Sequence, residues 1–328
     1  MNKTQPGWQW NNYWESGAVT TFSEGRFETG YIGPVKNFWR DQIKSLDDSA
    51  VIVDLATGNG AIPLIAAEYM IENEKNWNII GIDYAHIKPP VDKNKELSVV
   101  TFHSSTPIEN TNIETASVDL VTSQYGIEYA DLDKAVMELQ RIMKQGAYFT
   151  TIMHHPDSLV VKQSKRDIFQ TKLCLEIEEF DQKVEKLVSI VGDARTKEQK
   201  KMLKHNREAE KTRDIINASL ERMYKRLANK EADQMLKITQ TFMRVFGDLS
   251  SLEKNEKIKF IRDVSASMSA YKARMQSMQK ASLSDLDFNQ FLKKLEQNQF
   301  EIVHSGELRD DNKDILGRVL RTKLSKKA

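Results

Sequence analysis

The stretch "VIVDLATGNG" (51–60) decides the fold. Val51, Ile52, Val53 and Leu55 surround a single acid, Asp54, in the manner of a strand buried on both faces. Ala56 and Thr57 lead into Gly58, Asn59 and Gly60, and "AIPLIAAEYMIEN" (61–73) reads as the helix that follows. Pro63 suits a first helical turn, where N–H groups have no intrahelical partner. Such a strand–turn–helix leaves unpaired backbone N–H groups at the helix start, and glycine allows a ligand to approach that backbone closely.

Outward from this unit the alternation repeats. "NIIGID" (78–83), "LSVVTFHS" (97–104), "VDLVTSQYG" (118–126) and "AYFTTIMHH" (147–155) read as four further strands, with a helix over about 131–143 before the last. Apolar strands alternating with helices predict a parallel sheet covered on both faces and wound by right-handed crossovers. All seven prolines lie between Pro6 and Pro156, and the composition changes at that point. Residues 156–297 carry apolar side chains at three- and four-residue spacing, which predicts amphipathic helices. "QFEIVHSGEL" and "ILGRVLRTKL" then restore strand character around a polar turn.

The expected fold is therefore α/β: a doubly wound, mostly parallel, Rossmann-like sheet of seven strands with a large helical insertion before the last two. Residues 1–49 form an aromatic-rich lid segment and 50–155 the core. Residues 156–297 form the insertion, a region for substrate, partner or oligomer contacts, and 298–328 the hairpin that completes the sheet.

With 40% hydrophobic and 29% charged residues the chain can bury a core and remain soluble. A net charge of +1 gives no support to a nucleic-acid-binding or membrane-surface protein. No stretch approaches the roughly 18 apolar residues of a membrane span. A single cysteine and the absence of a signal-like N-terminus predict a cytoplasmic protein.

The turn excludes two ligand classes. A dinucleotide fingerprint wants glycine where Pro63 stands, and a P-loop needs a lysine that "GNGAIP" lacks. Asp54 would repel a pyrophosphate and suits an ammonium group. Asp83, closing the second strand, is placed to accept both hydroxyls of a ribose. An acid for an amino group, glycines for close approach and an acid for a ribose together describe S-adenosylmethionine.

At these residues the chain resembles the class I S-adenosylmethionine-dependent methyltransferases, over roughly 50–155 and the last 30 residues. "DLATGNG" (54–60) is similar to the family's glycine-rich motif and "GIDYA" (81–85) to its ribose motif. "SVDLVTSQYGIEYADL" (117–132) is similar to the fourth-strand motif, and "ELQRIMKQGAYFTTIMH" (138–154) to the helix and strand that follow. The resemblance implies that Asp54, Ala56, Gly58, Asn59 and Gly60 hold the amino-acid end of the cofactor. Asp83 and Tyr84 would hold the ribose, Gln124 would lie beside the methionine portion, and Thr106 and Ile108 would meet adenine. "HSSTPIE" (103–109) departs from the family there, since no aspartate is present.

The candidate substrate residues follow from position. Trp14 and Tyr31 belong to an N-terminal aromatic set that also includes Trp8, Trp10, Tyr13, Phe22, Phe27, Phe38 and Trp39. Such rings pack a core, and their faces attract cations such as a sulfonium. Tyr125, Glu128 and Tyr129 follow the fourth strand, and His154 and His155 close the fifth. Glu128, His154 and Tyr125 are the candidate acid–base groups, with Trp14, Tyr31, Tyr129 and His155 as substrate or lid contacts. "HHPD" (154–157) offers nitrogen and oxygen ligands, but not at a zinc-binding helical spacing, so no metal is expected.

The expected reaction is in-line transfer of the sulfonium methyl to a nucleophilic atom of a small or amphiphilic metabolite, leaving S-adenosylhomocysteine. The alternatives are a macromolecular acceptor docked on the helical insertion and a cofactor-binding scaffold without turnover. A homodimer through the insertion is a further expectation.

Overall fold

A computed structural model describes residues 8–21, 30–194, 196–227 and 231–325. Phe22, Phe27 and the side chain of Trp8 lie outside the described residues. The chain divides into two compact units, Met1–Lys162 with Ser277–Ala328, and Gln163–Gln276.

The first unit is built on a seven-stranded sheet in the order β3-β2-β1-β4-β5-β7-β6. Its strands are β1 (Val51–Leu55), β2 (Asn78–Ile82), β3 (Val100–His103), β4 (Val118–Gln124), β5 (Met143–Met153), β6 (Phe300–Arg309) and β7 (Ile315–Leu324). The first five pair in parallel, while β7 runs antiparallel to both β5 and β6. The winding reverses between β1 and β4, where a crevice opens at the carboxyl ends of the strands. The β1–β4 register sets Asp54 opposite Thr122, two residues from the end of β4.

Helices cover both faces. α1 (Trp8–Trp14) precedes α2 (Gly33–Ile43) and α3 (Ala61–Glu72), and the latter two pack with β1 and β2 around Trp39, Ile62, Leu64 and Ile79. α4 (Leu132–Ile142) packs on the opposite face with Val121, Phe149 and Leu320. Asp131 caps α4 by accepting the Asp133 and Lys134 N–H groups, satisfying two of the four donors a helix start leaves free.

Several element boundaries differ from the sequence expectation, each for a local reason. β5 begins at Met143, directly after α4 and four residues early; Gly146, at φ +87°, lets a bulge form against β4. β4 stops at Gln124 because Tyr125 turns to φ +54°. β5 stops at Met153, so His154 and His155 lie beyond the strand; the His154 N–H bonds the Glu128 carboxylate instead of a neighbouring strand. α11 (Asp285–Gln297) was expected within the insertion. It buries Phe288, Phe291 and Leu295 in the core of the first unit, and narrows the separate helical unit to 163–276.

The second unit contains α6 (Phe180–Val191), α7 (Lys197–Met202), α8 (Arg207–Leu227) and α9 (Asp233–Met243). α5 (Leu159–Lys172) and α10 (Lys254–Ala281) contain its boundaries. Its core gathers Phe180, Val184, Met223, Met235 and Phe242. The buried Glu178 carboxylate is held by Arg222 at 2.6 Å, which keeps it ionised. Among the described residues no helix is long and apolar enough to cross a membrane.

Candidate active site

The carboxyl ends of β1, β2 and β4 and the N-terminal segment enclose a cavity of about 490 Å³. Its size falls within the roughly 300–1,000 Å³ of small-molecule sites. Asp54, Ala56 and Thr57 enter from β1; Asp83, Tyr84 and Ala85 from β2; Gln124, Tyr125, Gly126 and Tyr129 from β4. Pro107, Ile108 and Glu109 follow β3. Trp10, Trp14, Thr20 and Tyr31 close the N-terminal side.

Two buried carboxyl groups dominate the electrostatics. Asp54 accepts the Thr122 hydroxyl at 2.7 Å, and burial pushes its pKa up to about 7 against that bond. Asp83 accepts the Gly58 N–H at 2.7 Å through one oxygen and the Ala85 N–H at 2.7 Å through the other. Burial raises its pKa to about 6 despite these two donors. Neither forms an ion pair among the described residues. Two desolvated acids facing one cavity fit a ligand that brings an ammonium group and hydroxyl donors.

The glycines serve a purpose that their motif does not reveal. Gly58 has φ +54°, and a Cβ there would meet the Trp14 ring at 2.5 Å; at Gly60, φ +91°, it would meet Phe102 at 2.7 Å. The chain's own rings, Trp14 and Phe102, stand beside these two glycines. Asn59 is likewise engaged by protein, donating to the Trp14 and Ala18 carbonyls at 2.9 and 2.8 Å and accepting the Lys88 N–H at 2.8 Å. Gly58, Asn59 and Gly60 therefore pin the N-terminal segment over the turn and do not line the cavity.

The other candidates separate into two groups. Gln124 lines the cavity with its carbonyl oxygen bonded to the Trp39 indole N–H. Ile108 is at the wall, whereas Thr106 bonds the Ser104 carbonyl and lies off it. Tyr125 and Tyr129 line the cavity, with Glu128 and His154 behind them. The Tyr125 ring stacks on the His154 imidazole at 4.6 Å, and the Tyr129 hydroxyl is 3.3 Å from His154 Nε2. Glu128 is 6% exposed; one oxygen accepts the His154 N–H at 2.7 Å, and among the described residues the other makes no hydrogen bond of normal geometry.

Burial raises Glu128 to about 7 and drops His154 to about 3. Of the candidate acid–base groups, His154 therefore stays neutral and is a poor proton acceptor, while Glu128 titrates near neutrality. His155 is absent from the lining; its Nδ1 accepts the Asp157 N–H at 3.0 Å, and its Nε2 lies 3.6 Å from Glu307. Trp10, a member of the N-terminal aromatic set, is also a wall; the sequence reading missed Ser277, which arrives from a helix some 150 residues after the core motifs. Among the described residues no group of three His, Cys, Asp or Glu side chains is arranged to hold a metal ion.

A geranyl diphosphate C-methyltransferase from Streptomyces coelicolor A3(2) is 18% identical, over 39% of this chain and 50% of that one, with a TM-score of 0.32. An S-adenosylmethionine-dependent methyltransferase from Mesorhizobium loti is 16% identical, over 39% and 56%, with a TM-score of 0.31. The chain thus spans about half the length of these two structures. A Methanococcus maripaludis protein described as an S-adenosyl-L-methionine-dependent methyltransferase is 11% identical, over 90% and 85%, with a TM-score of 0.39. No curated protein sequence matches the chain. The methyltransferase domain family matches residues 46–281, more than two thirds of the sequence. On that match the chain belongs to the S-adenosylmethionine-dependent methyltransferases of class I.

Proposed function

We propose that this protein transfers the methyl group of S-adenosylmethionine to a small or amphiphilic molecule bound beneath the N-terminal aromatic segment. The observation that carries the reading is one cavity faced by two unpaired buried carboxyls and walled by rings. Asp54 receives the α-ammonium, Asp83 the ribose hydroxyls, and Ile108 the adenine. Gln124 lies toward the methionine chain. When bound, S-adenosylmethionine supplies an activated methyl group, so positioning the acceptor can account for several kcal/mol of the barrier.

Tyr125 and Tyr129 form the acceptor side, with Glu128 as the proton acceptor and His154 as the residue that positions Glu128 and Tyr129. The N-terminal segment, residues 8–21 with Tyr31, acts as the lid. The protein works in the cytoplasm. The helical unit carries 25 lysines and arginines against 18 acids over 163–276, a balance that suits an acidic partner; a second copy would have to pair through an apolar helix face, which light scattering tests.

Calorimetric titration of S-adenosylmethionine tests the cofactor reading. Wild type binds and Asp83→Ala loses at least tenfold in affinity; equal binding to both removes Asp83 from the site. Release of S-adenosylhomocysteine with a small-molecule library then separates an enzyme from a scaffold.

A further inference from the structure

The charge and ring content of the cavity bear on the acceptor, on the reading that this site transfers methyl groups. Among the described lining residues the carboxyl side chains are Asp54, Asp83 and Glu109, and none is lysine, arginine or histidine. An anionic group entering such a cavity would give up its hydration without meeting a cation among the described lining residues. Aromatic rings supply the opposite preference. Trp10 and Tyr129 meet edge to face, with centroids 5.9 Å apart and planes at 87°, so two cavity walls stand at right angles. Trp14 stacks on Trp10 at 6.2 Å and 19°, and Tyr31 and Tyr125 complete the wall. Behind Tyr125 and Tyr129 lies the Glu128 carboxyl, one oxygen of which makes no hydrogen bond of normal geometry among the described residues. Ring faces carry negative potential and attract cations, most strongly in desolvated sites.

We propose that the acceptor is an amine, and that its methylated product is an alkylammonium ion held in the corner made by Trp10 and Tyr129. In the transfer the amine lone pair forms the new N–C bond as the S–C bond breaks, and the S–C electron pair stays on sulfur. The positive charge thereby passes from sulfur to nitrogen. A primary or secondary amine then releases one proton, which Glu128 takes up in the role proposed above. The amine must be unprotonated to attack, and repulsion from the adjoining sulfonium favours that form.

The test is a calorimetric comparison of matched probes with S-adenosylhomocysteine already bound. The probes are phenylethyltrimethylammonium, its uncharged isostere with carbon in place of nitrogen, and 3-phenylpropionate. The cation is expected to bind about tenfold tighter than the isostere, from the strength of desolvated cation–ring contacts, and the carboxylate weakest. Trp10→Leu should cut the cation's advantage over the isostere to under threefold, with Trp10→Phe retaining most of it. Equal binding of cation and isostere, tighter binding of the carboxylate, or no binding of the cation to the loaded protein overturns the proposal. An unchanged ratio in Trp10→Leu overturns the role of Trp10. Failure of S-adenosylhomocysteine itself to bind refutes the methyltransferase reading, a separate outcome seen before any probe is added.

Discussion

On the role proposed for Asp54, cofactor binding is a proton-linked event. Burial holds its pKa at about 7 while no cation faces it, so half of the protein carries a neutral Asp54 near that pH. An α-ammonium group binds the ionised form, and each molecule that binds below pH 7 must first displace a proton. The sign follows: affinity is full above the raised pKa and is lost as pH falls through it. For a single group at pKa 7, apparent affinity should weaken roughly eightfold between pH 7.5 and pH 6. Asp83, at about 6, adds to the loss only toward the lower limit. The ligand's own α-amino group titrates near 8, which sets the upper limit of the useful window. Calorimetry in two buffers of different ionisation enthalpy gives the affinity and the protons released together. Asp54→Asn should bind more weakly at pH 7.5 and lose most of the slope. Flat wild-type affinity across this window, with no proton release, would refute the assignment of Asp54 to the ammonium.

Three other outcomes follow from contacts in the same unit. Gly58→Ala places a methyl 2.5 Å from the Trp14 ring at a left-handed backbone position, so it should cost about 1–3 kcal/mol and shift tryptophan emission; thermal unfolding and fluorescence check this. Glu128 has its pKa raised to about 7, so its contribution to stability is present at low pH and lost as pH rises from about 4 through 7. Glu128→Gln should therefore gain on wild type by about 3 kcal/mol between pH 4.5 and pH 8, read from denaturant unfolding at each pH. Phe291→Ala, at 1% exposure, should destabilise the first unit by about 3–5 kcal/mol, a loss that an insertion-only helix would not produce.

The parts of this molecule that were legible in its sequence are those fixed by local pattern. Five apolar strands, the helix after Gly60 and the closing hairpin each have a period or turn residue of their own, and seven strands follow in the expected class of sheet. Asp54 and Asp83 were legible because their place at strand ends puts them in the crevice whatever packs above. The partition of the helices was not. α11 has the same spacing as the helices before it, and only the burial of Phe288, Phe291 and Leu295 against the sheet assigns it to the first unit. The protonation of Glu128 and His154 was equally hidden, because desolvation depends on neighbours such as Tyr125 that a linear pattern does not locate.

The two glycines have a packing role beside the cofactor role that their motif implies. Their left-handed conformations and the absence of a Cβ are required, but Trp14 and Phe102 are what come close to them. Asn59, between them, makes three hydrogen bonds that tie residues 14–18 and Lys88 to the turn. The turn thus fixes the N-terminal segment as well as ending β1 at the crevice. Trp14 packs on Gly58 and, like its neighbour Trp10, lines the cavity. The Gly58 N–H in turn bonds Asp83. A change at Gly58 should consequently disturb the aromatic wall and the Asp83 carboxylate together, through contacts within the protein itself.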